Sequence, residues 1–206
     1  QIGLVEQIFD WFREENTLIM VDPVMGDGGK LYKTYTPEMA SGMARLCGRA
    51  DIVVPNMTEA HHLLEREYDP GPYTRQQIEG ILKGLCALGP RMAVLTGVWL
   101  KEGSLGTACY DAATGEAELY LTDRIEGFYH GTGDLFASAL LGGLLNGMSL
   151  NAACETATEF TWRTIETTHE KCADHRFGPK FECHLPWLGE KMEACRKTIA
   201  NPADLR

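Results

Sequence analysis

Between His130 and Gly147 a hydroxyl and a carboxylate sit among glycines, and an apolar run follows. The stretch reads His130-Gly131-Thr132-Gly133-Asp134-Leu135-Phe136-Ala137 and continues through small and aliphatic residues to Gly147. The run predicts a buried helix, with Gly147 as a stop just past its end. The start of such a helix presents unpaired backbone N–H groups and the positive end of the helix dipole, so it should draw an anion. Glycines let a phosphate approach the backbone because no Cβ stands in the way. A carboxylate at Asp134 would repel that phosphate and is an odd choice for binding alone. It makes sense where the carboxylate takes a proton from a hydroxyl that then attacks phosphorus. The plainer alternative is a tight turn with Asp134 as N-cap.

Other polar residues recur where predicted strands end. An amphipathic helix carries Ile2, Val5, Ile8, Phe9 and Phe12 at helical spacing and fades near Asn16. Thr17–Asp22 follows as a nearly all-apolar strand of the kind buried on both faces of a parallel sheet. It leads into the glycine-rich loop Pro23–Tyr32, which contains Asp27. Pro37 opens a helix to about Gly48, and Asp51–Val54 is a second buried strand ending at Pro55-Asn56-Met57-Thr58-Glu59. Helices near 58–66 and 74–88 flank the break Asp69-Pro70-Gly71-Pro72. Met92–Gly97 is a third strand, ending in Thr96 and Gly97. Residues 105–111 and 117–123 predict an antiparallel hairpin, and helices over 150–168 and near 187–199 follow that of the opening stretch. This order predicts a three-layer α/β/α sandwich with a mostly parallel sheet and one antiparallel hairpin, in a single domain over 1–206.

In open α/β sheets ligands collect at the carboxyl ends of strands. Asp22 and Asp27, Asn56 and Glu59, Thr96 and Gly97, and the Gly131–Asp134 loop all fall on that rim. Carboxylates and an amide are hard oxygen ligands suited to Mg²⁺, which binds through few protein groups plus phosphates. The set predicts an ATP–Mg²⁺ site with a base for an acceptor hydroxyl. Neither a Gly-x-x-x-x-Gly-Lys-Ser/Thr nor a Gly-x-Gly-x-x-Gly loop is present, which excludes P-loop enzymes and typical dinucleotide binders.

Composition narrows the class. The 206 residues are 44% hydrophobic and 23% charged, with 19 basic against 29 acidic residues and a net charge of −10. Those are values of an ordinary globular protein able to bury a large core. No basic run or stripe appears, which argues against a nucleic-acid partner. No apolar stretch is long enough for a membrane span, and no leader is expected. The seven cysteines are odd in number and scattered, mostly within apolar segments, as in a reducing compartment; cytoplasm is the expected location.

Val21-Asp22-Pro23-Val24-Met25-Gly26-Asp27, Pro55-Asn56-x-x-Glu59, Leu95-Thr96-Gly97 and His130-Gly131-Thr132-Gly133-Asp134 together resemble the ribokinase-like superfamily, and within it the pyridoxal (pyridoxine, pyridoxamine) kinases. The motifs run in the family order, and the resemblance extends from Gln1 to about Leu185. It implies that Asp134 is the catalytic base on the 5′-hydroxymethyl group of a B6 vitamer. Gly131, Thr132 and Gly133 would form the anion hole, and Glu59 with Asn56 would organise Mg²⁺ and phosphates. Asp22 and Asp27 would lie by nucleotide and cation, making Glu59 and Asp27 the metal-side carboxylates. Thr96 and Gly97 would lie by the ATP phosphates. Gly28–Tyr32 would cover ATP, with Tyr32 near the ligand. The resemblance also implies a homodimer. Some relatives carry Thr before the Pro-Asn pair as a cation or nucleotide contact, and this chain has Val54. It further implies that about the first third of the family's chain, including much of the vitamin pocket, lies upstream of Gln1.

Alternatives stand beside these readings. Hydroxymethylpyrimidine kinases of thiamine synthesis resemble the same loop but commonly place Cys at the position of Asp134. An inactive ATP-binding fragment is a third reading. Asp22 could merely end a strand, Asn56 could be only an N-cap, and Glu59 an ordinary first-turn acid. His61 and His62 read as structural, His130 as either nucleotide contact or packing, and Phe160 and Trp162 as core. His169, Cys172, His175, Cys183 and His184 could be drawn as a zinc site, but their spacing fits no known closing pair.

Overall fold

Three short strands with no polar face hold the first half of the chain together. In the computed structural model, which describes residues 1–171 and 178–199, helix α1 (Ile2–Phe12) precedes β1 (Met20–Val21). A small hairpin follows, formed by β2 (Gly26–Asp27) and β3 (Lys30–Leu31), and then α2 (Pro37–Gly48). Next come β4 (Ile52–Val53), α3 (Met57–Leu63), α4 (Arg75–Ala87), β5 (Met92–Val98), β6 (Ser104–Asp111) and β7 (Glu116–Asp123). Helices α5 (Thr132–Leu145), α6 (Leu150–Lys171) and α7 (Leu185–Ile199) complete the chain, with a 3₁₀ turn at Glu182–His184.

The main sheet has the order β1-β4-β5-β6-β7. β1 pairs parallel with β4 through Met20↔Ile52 and Val21↔Val53, and β4 pairs parallel with β5 through Ile52↔Met92 and Val53↔Ala93. β6 runs antiparallel to β5. Ile52, Val53, Ala93, Val94 and Leu95 are all buried, as expected of strands covered on both faces. Their core continues into Ile78, Leu82 and Leu85 on one stripe of α4.

Several expected boundaries move for local reasons. α1 ends at Phe12 rather than near Asn16, because the Thr17 hydroxyl donates to the Phe12 carbonyl at 3.0 Å and accepts the Glu14 N–H at 2.9 Å. That turn also shortens the first strand from the expected 17–22 to Met20–Val21. α3 stops at Leu63, where Leu64 caps it and Glu65 takes a positive φ of 52°. α6 runs on to Lys171, and α7 begins two residues early, at Leu185.

The chain divides into two compact units, Gln1–Leu119 and Tyr120–Arg206. Within the second, α5 ends as its sequence predicts. Gly147 adopts φ 86°, its N–H donates to the Leu144 carbonyl at 3.0 Å, and the Met148 N–H donates to the Gly143 carbonyl at 3.0 Å. This is the paired closure of a Schellman motif. α5 packs closely on α6, where a Cβ on Gly143 would lie 3.0 Å from the Ala153 methyl. Among the described residues, no helix is long and apolar enough to cross a membrane.

Candidate functional site

In the first unit the site grows from the ends of β1, β4 and β5. The cap of α3 organises it. Asn56 is the N-cap: its Oδ1 accepts the Glu59 N–H at 3.0 Å, and Glu59 Oε2 accepts the Asn56 N–H at 2.8 Å. That reciprocal pair is a capping box. Each residue then reaches beyond its own helix. Glu59 Oε1 accepts the Met25 N–H at 2.9 Å, and Asn56 Nδ2 donates to the Gly26 carbonyl at 2.8 Å. The simple capping roles open to Asn56 and Glu59 are therefore real, and they are half of what the two side chains do.

The loop after β1 has more structure than its composition foretells. Gly26↔Leu31 and Asp27↔Lys30 pair as a hairpin closed by Gly28 (φ 56°) and Gly29 (φ 79°), the two positive φ values a type I′ turn needs. A Cβ on Gly26 would sit 2.2 Å from the Lys30 carbonyl oxygen, so only glycine fits there. Asp27 is left exposed at the turn, with Oδ1 accepting the Gly28 N–H at 2.8 Å.

Thr96 joins this group through backbone: its N–H donates to the Pro55 carbonyl at 3.1 Å, and Asn56 and Thr96 form a parallel bridge. The β5–β6 register shifts between Thr96 and Val98, where Gly97 takes φ 71° with open space around it. The result is a glycine bulge that exposes backbone at the strand end.

The electrostatics agree that these residues share one neighbourhood. Burial raises the Tyr32 phenol, and the charges of Glu59, Asp27 and Asp22 raise it further. Glu59 is only 3% exposed. Burial pushes its carboxyl up to about 7; the Asn56 and Met25 amides oppose the rise and the charge of Asp22 adds to it. Asp22, Asp27, Tyr32, Asn56, Glu59 and Thr96 with Gly97 thus gather at one rim of the first unit.

The second unit carries Gly131–Asp134. Gly131, not Asp134, is the N-cap of α5, in the left-handed region at φ 83° and with no side chain closing the helix end. The Thr132 hydroxyl turns back to donate to the Tyr129 carbonyl at 3.1 Å, and the His130 ring packs edge-on to Phe128 at 4.7 Å. Asp134 is the third helical residue and is exposed. It borders a cavity of about 470 Å³ walled mainly by apolar side chains, among them Phe160, Phe181, Leu188 and Met192. Sequence reasoning placed Phe160 in the core and missed the contribution of Phe181 and α7. The apolar spacing of Leu185, Leu188 and Met192 was the available signal.

The two histidines of α3 differ in exposure. His61 is buried with Nδ1 at 2.6 Å from the Met57 carbonyl, whereas His62 is exposed. For the zinc alternative, Cys172 and His175 lie outside the described residues. His169 sits 2.8 Å from the Tyr129 hydroxyl and His184 2.8 Å from that of Thr167. Among the described residues no three His, Cys, Asp or Glu side chains converge on a metal position.

The parallel strands, the antiparallel β5–β6 pair and the loops at their carboxyl ends define a ribokinase-like α/β protein, the fold of a solved pyridoxal kinase from Lactobacillus plantarum. That structure is 30% identical to this chain, has a TM-score of 0.80, and is matched over 94% of this chain and 69% of its own. Within the class, the chain belongs to the phosphomethylpyrimidine kinase family, whose profile matches residues 1–180. A Bacteroides thetaiotaomicron protein described as a phosphomethylpyrimidine kinase and solved with pyridoxal is 31% identical, with a TM-score of 0.86, over 92% of this chain and 66% of that one. The pyridoxine/pyridoxal/pyridoxamine kinase of Bordetella avium is 29% identical over 158 residues, 73% of this chain. The chain spans 50% of the length of that relative.

Proposed function

We propose that this chain carries the nucleotide side and the catalytic base of an ATP-dependent kinase acting on the 5′-hydroxymethyl group of pyridoxal, pyridoxine or pyridoxamine. The observation that carries the reading is Asp134: an exposed carboxylate in the first turn of a helix capped by Gly131 and bordering a cavity. In this reading Asp134 accepts the proton of the acceptor hydroxyl while that hydroxyl's oxygen bonds to the γ-phosphorus of ATP. The bond from that phosphorus to the bridging oxygen breaks, and ADP leaves with the electron pair. The backbone N–H groups at Gly131–Gly133 and the α5 dipole stabilise the charge on the transferring group.

In the first unit, Asp22, Tyr32, Asn56, Thr96 and Gly97 border the nucleotide. The donor set, carboxylates and an amide oxygen, suits a Mg²⁺ ion held by few protein groups and several phosphate oxygens. Exposed Asp27 is the carboxylate with open access, whereas both oxygens of Glu59 accept backbone N–H groups, so Glu59 acts chiefly through its charge and its hold on the loop. When bound, Mg²⁺ supplies charge neutralisation on the phosphates. A homodimer in the cytoplasm is part of the same proposal.

The family name favours a second reading, a hydroxymethylpyrimidine kinase. An aspartate at position 134, where those enzymes commonly resemble this loop with Cys, supports the B6 reading instead. The test is ATP-dependent phosphorylation by the complete protein offered pyridoxal and hydroxymethylpyrimidine in parallel, with Asp134→Asn as control. The expected result is preference for pyridoxal and a loss of about 10²–10⁴ in rate for the variant. Preference for the pyrimidine selects the second reading. Near-normal turnover by Asp134→Asn removes the base from the mechanism, and nucleotide binding without any turnover selects an inactive fragment.

A further inference from the structure

We infer that Thr58 is a positioning residue that, with Tyr68, latches the β2–β3 hairpin in its docked position, an inference resting on the proposed role of that hairpin beside ATP. Thr58 stands at the second position of α3, where Asn56 and Glu59 already complete the cap, so its hydroxyl has no part in closing the helix. It is 2% exposed. A hydroxyl buried to that degree needs a partner, since leaving it unpaired forfeits its hydration for nothing. The partner is the N–H of Gly29, 2.9 Å away and 29 residues distant in the chain, at the turn of the hairpin.

The same glycine is pressed against an aromatic ring. A Cβ on Gly29 would lie 2.5 Å from Tyr68 Cδ1, so the turn rests directly against the ring. Tyr68 is held in turn by the buried His61 ring, edge-on with centroids 5.7 Å apart. At the other end of the hairpin, Met25 and Gly26 are tied to Glu59 and Asn56. One turn of α3 therefore fastens the hairpin at both ends, and the exposed Asp27 and Lys30 are carried between the two attachments. Releasing the turn end leaves β2 and β3 paired but lets Asp27 and Lys30 swing, which should weaken a nucleotide phosphate contact before it alters chemistry at Asp134.

The experiment compares Thr58→Val, which keeps shape and loses the hydroxyl, with Thr58→Ser, which keeps the hydroxyl. Tyr68→Phe, which keeps the ring, is compared with Tyr68→Ala. Hydrogen exchange at the Gly29 amide and KM for ATP against kcat are measured on each. The expected result is an exchange rate and a KM for ATP raised about five- to tenfold in Thr58→Val and Tyr68→Ala, the equivalent of one lost hydrogen bond. The kcat should stay within about twofold, and Thr58→Ser and Tyr68→Phe should match the parent chain. Unchanged exchange at Gly29 in a folded Thr58→Val chain overturns the latch, and so does faster exchange with an unchanged KM for ATP. Faster exchange in a complete protein that phosphorylates no vitamer supports the latch while refuting the kinase reading, so the two can fail separately.

Discussion

Glu59→Gln separates the charge of this residue from its shape. In the folded protein burial moves the Glu59 carboxyl from 4.5 to about 7. That gap of about 2.5 pH units corresponds to about 3 kcal/mol. The raised value means the folded chain holds the proton more tightly than the unfolded chain. Glu59 therefore contributes stability that is fully present below about pH 4.5 and is lost as pH rises through about 7. Glutamine has no such dependence. Its carbonyl can accept only one of the two N–H groups, from Met25 and Asn56, that the carboxylate oxygens accept. Stranding the other should cost about 1–3 kcal/mol at every pH. The parent chain should thus be clearly more stable than the variant near pH 4.5, and that advantage should shrink by about 3 kcal/mol on reaching about pH 8. Urea unfolding of both chains across this range measures the difference, in which the carboxylates that do not interact with Glu59 cancel. A difference constant to within about 0.5 kcal/mol, the tolerance of independent sites, would refute the argument.

Two further perturbations follow from the same geometry. Gly26→Ala should force apart the close contact with the Lys30 carbonyl, cost about 1–3 kcal/mol, and speed amide exchange over residues 26–31; unchanged exchange would contradict the assigned hairpin. Arg91 holds Asp111 in a two-point contact at 3.0 and 2.7 Å, and this keeps the Asp111 carboxyl below its ordinary range. That stability is present above the ordinary carboxylate range and lost as pH falls through the lowered value, so Asp111→Asn should cost about 1–2 kcal/mol at neutral pH and less at about pH 3. Thermal melts at the two pH values check the sign.

Much of this protein is legible in one dimension because the signals are local. A run such as Ile52-Val53-Val54 has no polar face to offer water, so it must be a strand covered on both sides, and its polar residues must follow at its end. Gly131 and Gly147 mark both limits of α5 because each adopts a backbone conformation that other residues avoid. The candidate residues Asp22, Asn56, Glu59 and Thr96 were found by that reasoning alone.

What local signals cannot carry is the identity of distant partners. Nothing in the residues around Glu59 reveals that its carboxylate accepts an amide from Met25, 34 positions earlier, or that burial then lifts its acidity toward neutrality. Thr58 looks like an ordinary helix residue until the chain returns Gly29 to its hydroxyl. The paired glycines at 28 and 29 signal flexibility by composition, yet in the fold they close a docked hairpin. The sequence by itself determined the buried strands of the main sheet, the glycine stop of α5 and the rim on which chemistry could collect, since these depend on neighbours in the chain and on hydrophobic period. The tertiary structure alone decided which polar atoms at that rim stay open to a ligand and which are already spent on holding the loop, because that depends on burial and on contacts many residues apart.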